Sequence, residues 1–380
     1  MTYLSNLIAA LQEVDPDNTY FLFVPRRHAH LVHVSAPNFR IIWVSDFANR
    51  VVPSIVWHLV VYPVALRRLG VDVVHLPDCR RFPLWKPCAT ALTIHDVVNF
   101  EPGARLTPAK RLFYWIIAKV FVRHADVVTT VSDNSRLDIA RIFGIDHDRV
   151  VVTPNGVSGD FTPRDRLAAQ QRLARYDLPS RMVLCVARLE HPRKNHVTLL
   201  QAFAALRERR GFGHGLVLVG KRWEGADVID ATIAELGLTG VVRCLGYVPD
   251  ADLPFFYNAA ECVVYPAHYE GFGLPVVEAL ASGVPVVASR VASIPEIAGD
   301  AAILTPPDDP DAMAEVLWTA LTDEKVRARL AREGPRRAAA FSWRRTAERT
   351  VHAYHRAAVT ARAARAAARA RGALSDGGSR

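Results

Sequence analysis

The chain has 380 residues, which is more than one domain of ordinary size and predicts two domains. Half of the residues are hydrophobic, which excludes a wholly disordered chain because each domain can bury a sizeable core. The net charge is +9, but residues 361–380 contribute five arginines against one aspartate, or 5 − 1 = +4, so the charge does not predict a nucleic-acid-binding protein.

Cysteines and apolar runs give further limits. The five cysteines are widely spread, so neither a zinc site nor a disulfide framework is predicted, and a cytoplasmic location fits. Cys185, Cys244 and Cys262 lie in apolar runs and are expected in the core. The most apolar stretch, residues 51–66, contains two prolines and is shorter than the roughly 20 residues that a membrane span needs. We expect a buried or interfacial helix there.

Short apolar, β-branched runs alternate with helical patterns along the chain. A helical pattern at 3–14 comes first, where a doubly wound domain normally has a strand and a glycine-containing turn. We therefore expect either that the start of the chain is assigned too late or that the first sheet lacks a strand. The predicted strands are 20–24, 41–44, 71–75, 89–94, 127–131, 150–153, 182–186, 215–219, 241–245, 262–265, 285–288 and 302–304. Clear helical segments include 196–209, 228–236 and 311–321. This alternation predicts two parallel, doubly wound α/β domains that face each other across a cleft, with ligands beyond the carboxyl ends of the strands.

The most informative segment runs from Glu270 to Glu278. It follows a predicted strand and opens a helix, with Pro275 suited to the first helical position and Gly283 to the stop. Backbone N–H groups at such a glycine-containing helix start favour phosphate. Two carboxylates that flank this turn are suited to a ligand with both phosphate and vicinal hydroxyls, which describes a nucleotide sugar. The alternative is a solvated Glu270 and a Glu278 that only complements the helix dipole.

A second candidate segment, residues 186–195, follows another predicted strand. Arg188 offers a bidentate guanidinium and Lys194 a mobile point charge, which together suit a diphosphate. A basic loop alone is more often solvated surface, but its combination with the glutamate segment favours the site. No Asp-x-Asp pair suggests a metal-held diphosphate and no HExxH occurs, so we predict no metal and no cofactor besides the substrate.

A third candidate is His95, at the end of the predicted strand 89–94. A histidine at a strand's carboxyl end is placed to bond a sugar hydroxyl or to move a proton. A histidine that only packs in the core is the open alternative.

At these residues the chain resembles glycosyltransferase family 4, the retaining enzymes with the GT-B fold, and the resemblance extends from Tyr3 to about Arg356. The E-x7-E motif is matched by Glu270 and Glu278, the donor-site Arg and Lys by Arg188 and Lys194, and the first domain's histidine by His95. The resemblance implies two Rossmann-like domains. We expect an acceptor-binding domain at 1–157, a linker at 158–180 and a donor-binding domain at 181–340. A helix at 341–360 would cross back to the first domain, and a disordered Ala/Arg-rich tail would follow at 361–380.

The resemblance also implies roles for single residues. Glu278 would hold the ribose hydroxyls, Glu270 the hydroxyls of the donor sugar, and His95 would contact the transferred sugar. Arg188 and Lys194 would neutralise the diphosphate. The remaining donor-binding positions are Gly271, Phe272, Gly273, Leu274 and, in the loop that borders the base, Val248. Members of the family begin with a strand and a Gly-Gly turn near the donor phosphate, which residues 1–4 do not match.

Within the family the sequence most resembles mannosyl- or rhamnosyl-type enzymes of surface polysaccharide synthesis. We therefore expect a hexosyltransferase that uses GDP-mannose, or else a UDP-sugar, and a glycan or lipid-linked acceptor. Peripheral contact with an anionic membrane through residues 51–68 or 110–123 is a further expectation, since both segments are apolar or aromatic with basic residues. A GT-B-type nucleotide-sugar epimerase and a non-catalytic nucleotide-sugar-binding protein remain the alternatives.

Overall fold

The chain divides into two compact units in a computed structural model that describes residues 2–46, 51–78, 85–100 and 108–376. The first unit comprises Met1–Gly156 and Trp343–Arg380, and the second comprises Val157–Ser342. The chain thus leaves the first unit once and returns to it with its last helix.

The first unit has two parallel sheets. Its elements are α1 (Thr2–Val14), β1 (Tyr20–Pro25), β2 (Phe39–Val44), α2 (Val51–Val56), α3 (Tyr62–Arg68), β3 (Val73–Leu76), β4 (Ala89–Thr93), α4 (Pro108–His124), β5 (Val127–Thr130), α5 (Asp133–Phe143), β6 (Val150–Val152) and the last helix, α14 (Trp343–Asp376). Strands β1 and β2 pair with each other, and the other sheet has the order β3-β4-β5-β6. Among the described residues no strand joins the two sheets, so the single sheet expected for this domain is divided.

The second unit is built on one six-stranded parallel sheet with the order β12-β11-β10-β7-β8-β9. Its elements are α6 (Arg166–Arg172), β7 (Met182–Val186), α7 (His196–Arg210), β8 (Gly215–Val219), α8 (Ala226–Glu235), β9 (Val242–Gly246), α9 (Leu253–Ala259), β10 (Cys262–Tyr265), α10 (Leu274–Ala281), β11 (Val286–Ser289), α11 (Ile294–Ala298), β12 (Ile303–Thr305), α12 (Pro310–Thr322) and α13 (Glu324–Ala338). All twelve predicted strands of the chain are confirmed, with ends that shift by no more than two residues. The inner strands β8, β10 and β11 are buried along their whole length, which is why they read as continuous apolar runs.

One core prediction is wrong. Cys185 and Cys262 are fully buried on inner strands, but Cys244 is exposed. It lies on β9, which is the edge strand of the sheet. An apolar run does not reveal which strand is at the edge, and only the sheet order shows that one side of β9 has no neighbouring strand.

The predicted linker 158–180 is also wrong, because these residues belong to the second unit. Helix α6 lies within them and packs against α9. Ala169 and Leu173, four residues apart, are buried, and Tyr176 donates a hydrogen bond of 2.7 Å to Asp252. Two buried apolar residues at helical spacing are a weak signal among polar neighbours, which explains the error.

The predicted disordered tail is replaced by helix as far as the structure describes it. Helix α14 continues to Asp376, whereas residues 377–380 lie outside the described part of the chain. Ala353, Ala357 and Ala361 repeat at every fourth position, and all three pack against Ala89 and Val127 of β4 and β5. Alanine has the strongest helix propensity, so the composition that reads as low complexity also favours this helix.

The apolar segment 51–68 is a helix with a wide turn in its middle. Helices α2 and α3 are joined by a π-helical turn, Trp57–Val61, where the N–H of Tyr62 donates to the carbonyl of Trp57, five residues earlier. Pro63, which follows, has no N–H to donate and occupies the first turn of α3. None of the helices in the described ranges has both the length and the apolar character to cross a bilayer.

The alanine face of α14 gives a test of this packing. Ala357 has no exposed surface, so Ala357→Leu overfills the contact with the sheet and is expected to lower the free energy of unfolding by about 1–3 kcal/mol. Ala364→Leu is the matched control, because Ala364 is exposed on the same helix and should change it by less than about 0.5 kcal/mol. Denaturant unfolding of both variants measures the difference. Equal effects would contradict the buried alanine face.

Candidate functional site

The strand order of the second unit reverses between β7 and β10. These two strands are neighbours, with Val183 opposite Cys262 and Leu184 opposite Val263, although the 75 residues 187–261 separate the end of β7 from the start of β10 (261 − 187 + 1 = 75). Connections from β7 and β10 run to opposite sides of the sheet, which opens a crevice at their carboxyl ends. The loops 187–195 and 266–273 follow these two strands and form the candidate site.

Three side chains meet in this crevice. The Lys194 ammonium pairs with the Glu270 carboxylate, and Tyr265 lies against both. Lys194 Nζ donates to Tyr265 Oη at 3.1 Å, and Tyr265 Oη donates to Glu270 Oε2 at 2.8 Å. The Lys194 side chain is 9% exposed and that of Glu270 21%. Burial and the neighbouring Glu270 charge raise the pKa of Tyr265 well above its usual range, so its hydroxyl stays protonated.

The start of α10 presents free backbone donors beside this cluster. Gly273 has φ +90°, and a Cβ there would lie 2.6 Å from the Ile294 side chain, so only glycine fits. The amides of Phe272, Gly273 and Leu274 find no hydrogen-bond acceptor among the described residues. Phe272 itself is buried against Phe341 at a ring-centroid distance of 5.6 Å. The turn is therefore held by packing while its N–H groups stay available for an anion.

Glu278 lies on α10 and is held by a second tyrosine. Tyr257, on α9, donates a hydrogen bond of 2.7 Å to Glu278 Oε2. Burial raises the pKa of Glu278 to about 7; the Tyr257 hydrogen bond opposes this shift and the charge of Asp250 adds to it. Near neutral pH the carboxyl group therefore changes between a neutral form and an ionised form that only accepts hydrogen bonds.

Arg188 lies on the loop after β7. Its guanidinium is 3.3 Å from Glu190 and stacks on the ring of Trp223, 5.1 Å from the centroid. Hydrogen bonds and the charge of Arg193 lower the pKa of Glu190 against the opposing effect of burial, so Glu190 is ionised. Arg188 thus has one carboxylate partner and one aromatic surface, and its side chain is 44% exposed.

Val248 follows β9, the strand next to β8. Its side chain is buried, so contact with a ligand would come from its backbone. The neighbouring Tyr247 is 61% exposed. The structure thus brings the predicted Lys194, Glu270 and the 271–274 turn together, and it places Val248 on a separate loop of the same unit.

His95 belongs to the first unit, directly after β4 and Ile94. Its ring meets the Tyr3 ring edge-on at a centroid distance of 4.6 Å. Burial lowers the pKa of His95, against the opposing charges of Asp96 and Asp78, so the imidazole is neutral near pH 7. The next residue, Asp96, accepts a hydrogen bond of 3.1 Å from the N–H of Val98 and shapes the turn.

The sequence alone did not reveal Tyr265, Tyr257, Glu190 or Trp223. Tyr265 carried a usable signal, since it is the last residue of a predicted strand and stands five positions before Glu270. Among the described side chains, Asp146, His147 and Asp148 are close enough to one another to share an ion; all three are exposed and belong to the first unit, whereas the predicted Arg188, Lys194 and Glu270 belong to the second.

The raised pKa of Glu278 predicts a pH-dependent stability. Its pKa is 4.5 when unperturbed and about 7 in the fold, so between these values the folded state binds more protons and the free energy of unfolding falls as pH rises. Glu278→Gln cannot ionise, so its free energy of unfolding does not fall in this way. The difference in free energy of unfolding between this variant and the wild type should therefore be greater at pH 8 than at pH 5 by on the order of 2 kcal/mol. Unfolding curves at both pH values measure the gain, with the exposed Glu235→Gln as control. A difference from the wild type that is the same at both pH values would contradict the prediction.

Two family descriptions match most of the chain between them. Residues 2–161 match the family described as Glycosyltransferase Family 4, and residues 172–337 match Glycosyl transferases group 1. The second match contains Arg188, Lys194 and the whole Glu270–Glu278 segment, and the first contains His95.

Similar proteins agree with these matches. The chain is 40% identical over 231 residues to the O-antigen chain mannosyltransferase B of Escherichia coli, a match that covers 60% of either chain. It is 30% identical over 312 residues to the MMP alpha-(1->4)-mannosyltransferase of Mycolicibacterium hassiacum, covering 77% of this chain and 72% of the relative. Sucrose-phosphate synthase from Thermosynechococcus elongatus has the same fold, with a TM-score of 0.73, 23% identity and coverage of 93% and 92%. The fold is of the GT-B type, and the chain belongs to glycosyltransferase family 4.

Proposed function

We propose that the protein is a retaining, metal-independent hexosyltransferase that moves mannose from GDP-mannose to a glycan or lipid-linked acceptor in surface polysaccharide synthesis. One observation carries the glycosyl-transfer proposal: the Lys194–Tyr265–Glu270 cluster adjoins the free amides of the α10 start in one crevice. The names of the relatives, an O-antigen chain mannosyltransferase and an alpha-(1->4)-mannosyltransferase, support the choice of mannose.

The α10 start is suited to the donor diphosphate. Its unpaired N–H groups and the positive end of the helix dipole attract phosphate, and Lys194 and Arg188 add full positive charges. Negative charge builds up on the diphosphate as the bond to the sugar breaks. Preorganised donors in a partly dry crevice stabilise that charge more than water does, and this role requires no metal ion.

Glu270 has to serve two partners. Before the donor binds, it neutralises the buried Lys194 ammonium. When a diphosphate shares the Lys194 charge, the Glu270 carboxylate can accept hydrogen bonds from two hydroxyls of the donor sugar. Tyr265 donates to Glu270 without cancelling its charge, so it can hold the carboxylate in place through this exchange.

Glu278 is suited to the ribose hydroxyls. In its ionised form it can accept hydrogen bonds from both vicinal hydroxyls, since the hydrogen bond from Tyr257 uses only one lone pair of one of its oxygens. His95, neutral near pH 7, would bond a hydroxyl of the transferred sugar as donor or acceptor.

The transfer itself would retain configuration by attack from the face of the leaving group. A bond forms between the acceptor oxygen and the anomeric carbon, while the bond from that carbon to the phosphate oxygen breaks. The acceptor's hydroxyl proton passes to the departing phosphate oxygen. This route needs no protein base. Lys194, Arg188 and the α10 amides would stabilise the negative charge of the leaving diphosphate.

Two alternatives differ in their products. A GT-B-type epimerase would return an altered nucleotide sugar without transfer, and a non-catalytic protein would bind the donor without turnover. The close spacing of Glu270 and Glu278 around the glycine turn favours transfer over epimerisation.

Donor screening tests the proposal. We expect transfer or slow donor hydrolysis with GDP-mannose, and little with UDP-glucose or UDP-N-acetylglucosamine. Glu270→Ala and Glu278→Gln should each lower kcat/KM by about 10- to 100-fold, because each removes charged hydrogen bonds of about 1.5–3 kcal/mol. Glu235→Gln, an exposed glutamate on α8, is the control and should leave kcat/KM unchanged.

The outcomes separate the levels of the proposal. Full activity in both glutamate variants would reject the site. Turnover with UDP-sugars alone would reject the mannose donor and keep the enzyme class. An epimerised nucleotide sugar as sole product would replace transfer with epimerisation, and inversion of the anomeric signal in the product's NMR spectrum would reject the retaining route.

The first unit also has an apolar surface that supports peripheral membrane contact. Val56, Val60 and Val61 are 53%, 52% and 49% exposed on the helical segment 51–68. Arg67 and Arg68 are exposed at the end of the same segment. Apolar side chains that enter the headgroup region, with basic residues at their border, are typical of helices that lie on anionic bilayers. We propose that this segment contacts the anionic membrane that carries a lipid-linked acceptor.

Vesicle flotation tests the membrane contact. The wild type should float with vesicles that contain anionic phosphatidylglycerol, and Val60→Glu should reduce the floating fraction at least tenfold because it places a charge in the apolar surface. Leu137→Glu is the control, since Leu137 is equally exposed, at 58%, on α5. Equal losses in both variants, or flotation with neutral vesicles alone, would contradict the proposal.

A further inference from the structure

A cavity opens on the second unit at the amino ends of its strands, whereas the candidate site lies at their carboxyl ends. Its volume is about 440 Å³, and its wall includes Arg164, Arg166, Glu261 and Arg327. Glu261 directly precedes β10, whereas Glu270 follows the carboxyl end of that strand. Since a strand rises about 3.3 Å per residue, the four residues of β10 alone separate the two places by roughly 13 Å.

Glu261, one of the two acids in this wall, is already fully compensated. The Glu261 carboxylate, whose side chain is 6% exposed, pairs with Arg166 and accepts a hydrogen bond of 2.9 Å from His214 Nε2. Arg181 Nε also lies 3.5 Å from its Oε1. Glu261 therefore has no charge left to neutralise another arginine.

Arg327 is one of two cations on this wall that have no carboxylate partner among the described residues. It lies on the second turn of α13, and its Nε is buried without an acceptor among the described residues. Glu324, one turn earlier on the same cavity wall, forms no ion pair with it within the described chain. A guanidinium has five donors in a planar fork, and a buried donor without an acceptor is unfavourable. Arg327 thus lines the cavity with a buried donor that no described residue satisfies.

Arg164 adds charge to the same wall. Its guanidinium stacks on the Phe255 ring at 4.9 Å and donates to the Asp160 carbonyl at 2.9 Å, contacts that fix the group without cancelling its charge. With the Arg166–Glu261 pair set aside, Arg164 and Arg327 leave two positive charges against the exposed Glu324. Together they leave 2 − 1 = +1 on the wall. Forked guanidinium groups recognise the oxygens of a phosphate in bidentate geometry, so this excess of positive charge favours a phosphate group.

We propose that this cavity binds a small phosphomonoester, with its phosphate on Arg327 and Arg164 and its carbon skeleton in the remaining space. The volume lies within the range of small-molecule sites and exceeds what a bare phosphate fills. The site is separate from the donor crevice and does not depend on the proposed transferase activity.

Calorimetric titration with mannose 6-phosphate at low salt tests this site. The wild type should bind the ester, and Arg327→Gln should weaken binding at least tenfold. Lys325→Gln is the matched control: it removes the same charge from the exposed face of the same helix turn and should bind as the wild type does. Arg327 makes no ion pair in the described structure, so its variant should fold. Ala328→Asp, which adds a carboxylate to the cavity wall, gives an independent variant with the same expected loss.

Inorganic phosphate and a donor-site variant complete the experiment. Phosphate should bind at least tenfold more weakly than the ester. Equal affinity would show that the carbon skeleton makes no contact with the cavity and would overturn that part of the proposal. Loss of ester binding in Lys194→Gln, with Arg327→Gln unaffected, would place the ester in the donor crevice and overturn the proposal. Equal losses in the Arg327 and Lys325 variants, or no binding by the wild type, would overturn it as well.

Discussion

The contact between Lys194 and Glu270 is the constraint around which the second unit is organised. A lysine whose side chain is 9% exposed stays charged inside a protein only with a carboxylate partner and further hydrogen bonds. Glu270 and Tyr265 supply both, yet they lie more than 70 residues further along the chain. They reach Lys194 because β10 pairs with β7, so the strand order that opens the crevice also makes its buried cation tolerable.

The two tyrosines resolve a conflict between stability and ligand binding. A carboxylate that is to accept hydroxyl groups must be held without being neutralised, and a second cation would compete with the ligand. A phenol donates one hydrogen bond and adds no charge. Tyr265 does this for Glu270, and Tyr257 does it for Glu278 from another helix. The repetition of one arrangement at both carboxylates links the packing of α9 and β10 to the proposed donor site.

Sequence reasoning worked where one physical requirement controls the pattern. Strands buried on both faces must be apolar throughout, which made β8, β10 and β11 the clearest of the predicted strands. The glycine turn before α10 is visible because Gly273 needs a positive φ. Tyr257 and Tyr265 were missed because a tyrosine in an apolar run looks like a core residue until its hydroxyl's acceptor is known. The exposed Cys244 was misplaced for a similar reason, since its environment depends on strand order rather than on its neighbours in sequence.

Helix α14 shows why composition misleads in the opposite direction. Its Ala/Arg sequence has little hydrophobic bulk, which favours an interpretation as a disordered tail. Alanine, however, combines the highest helix propensity with the smallest side chain, so a helix with an alanine stripe can lie close to a sheet. Ala353, Ala357 and Ala361 form this stripe against β4 and β5, and arginines occupy the solvent side. Along this stripe the helix is stabilised by close approach to the sheet, and hydropathy averaged over a window cannot detect that effect.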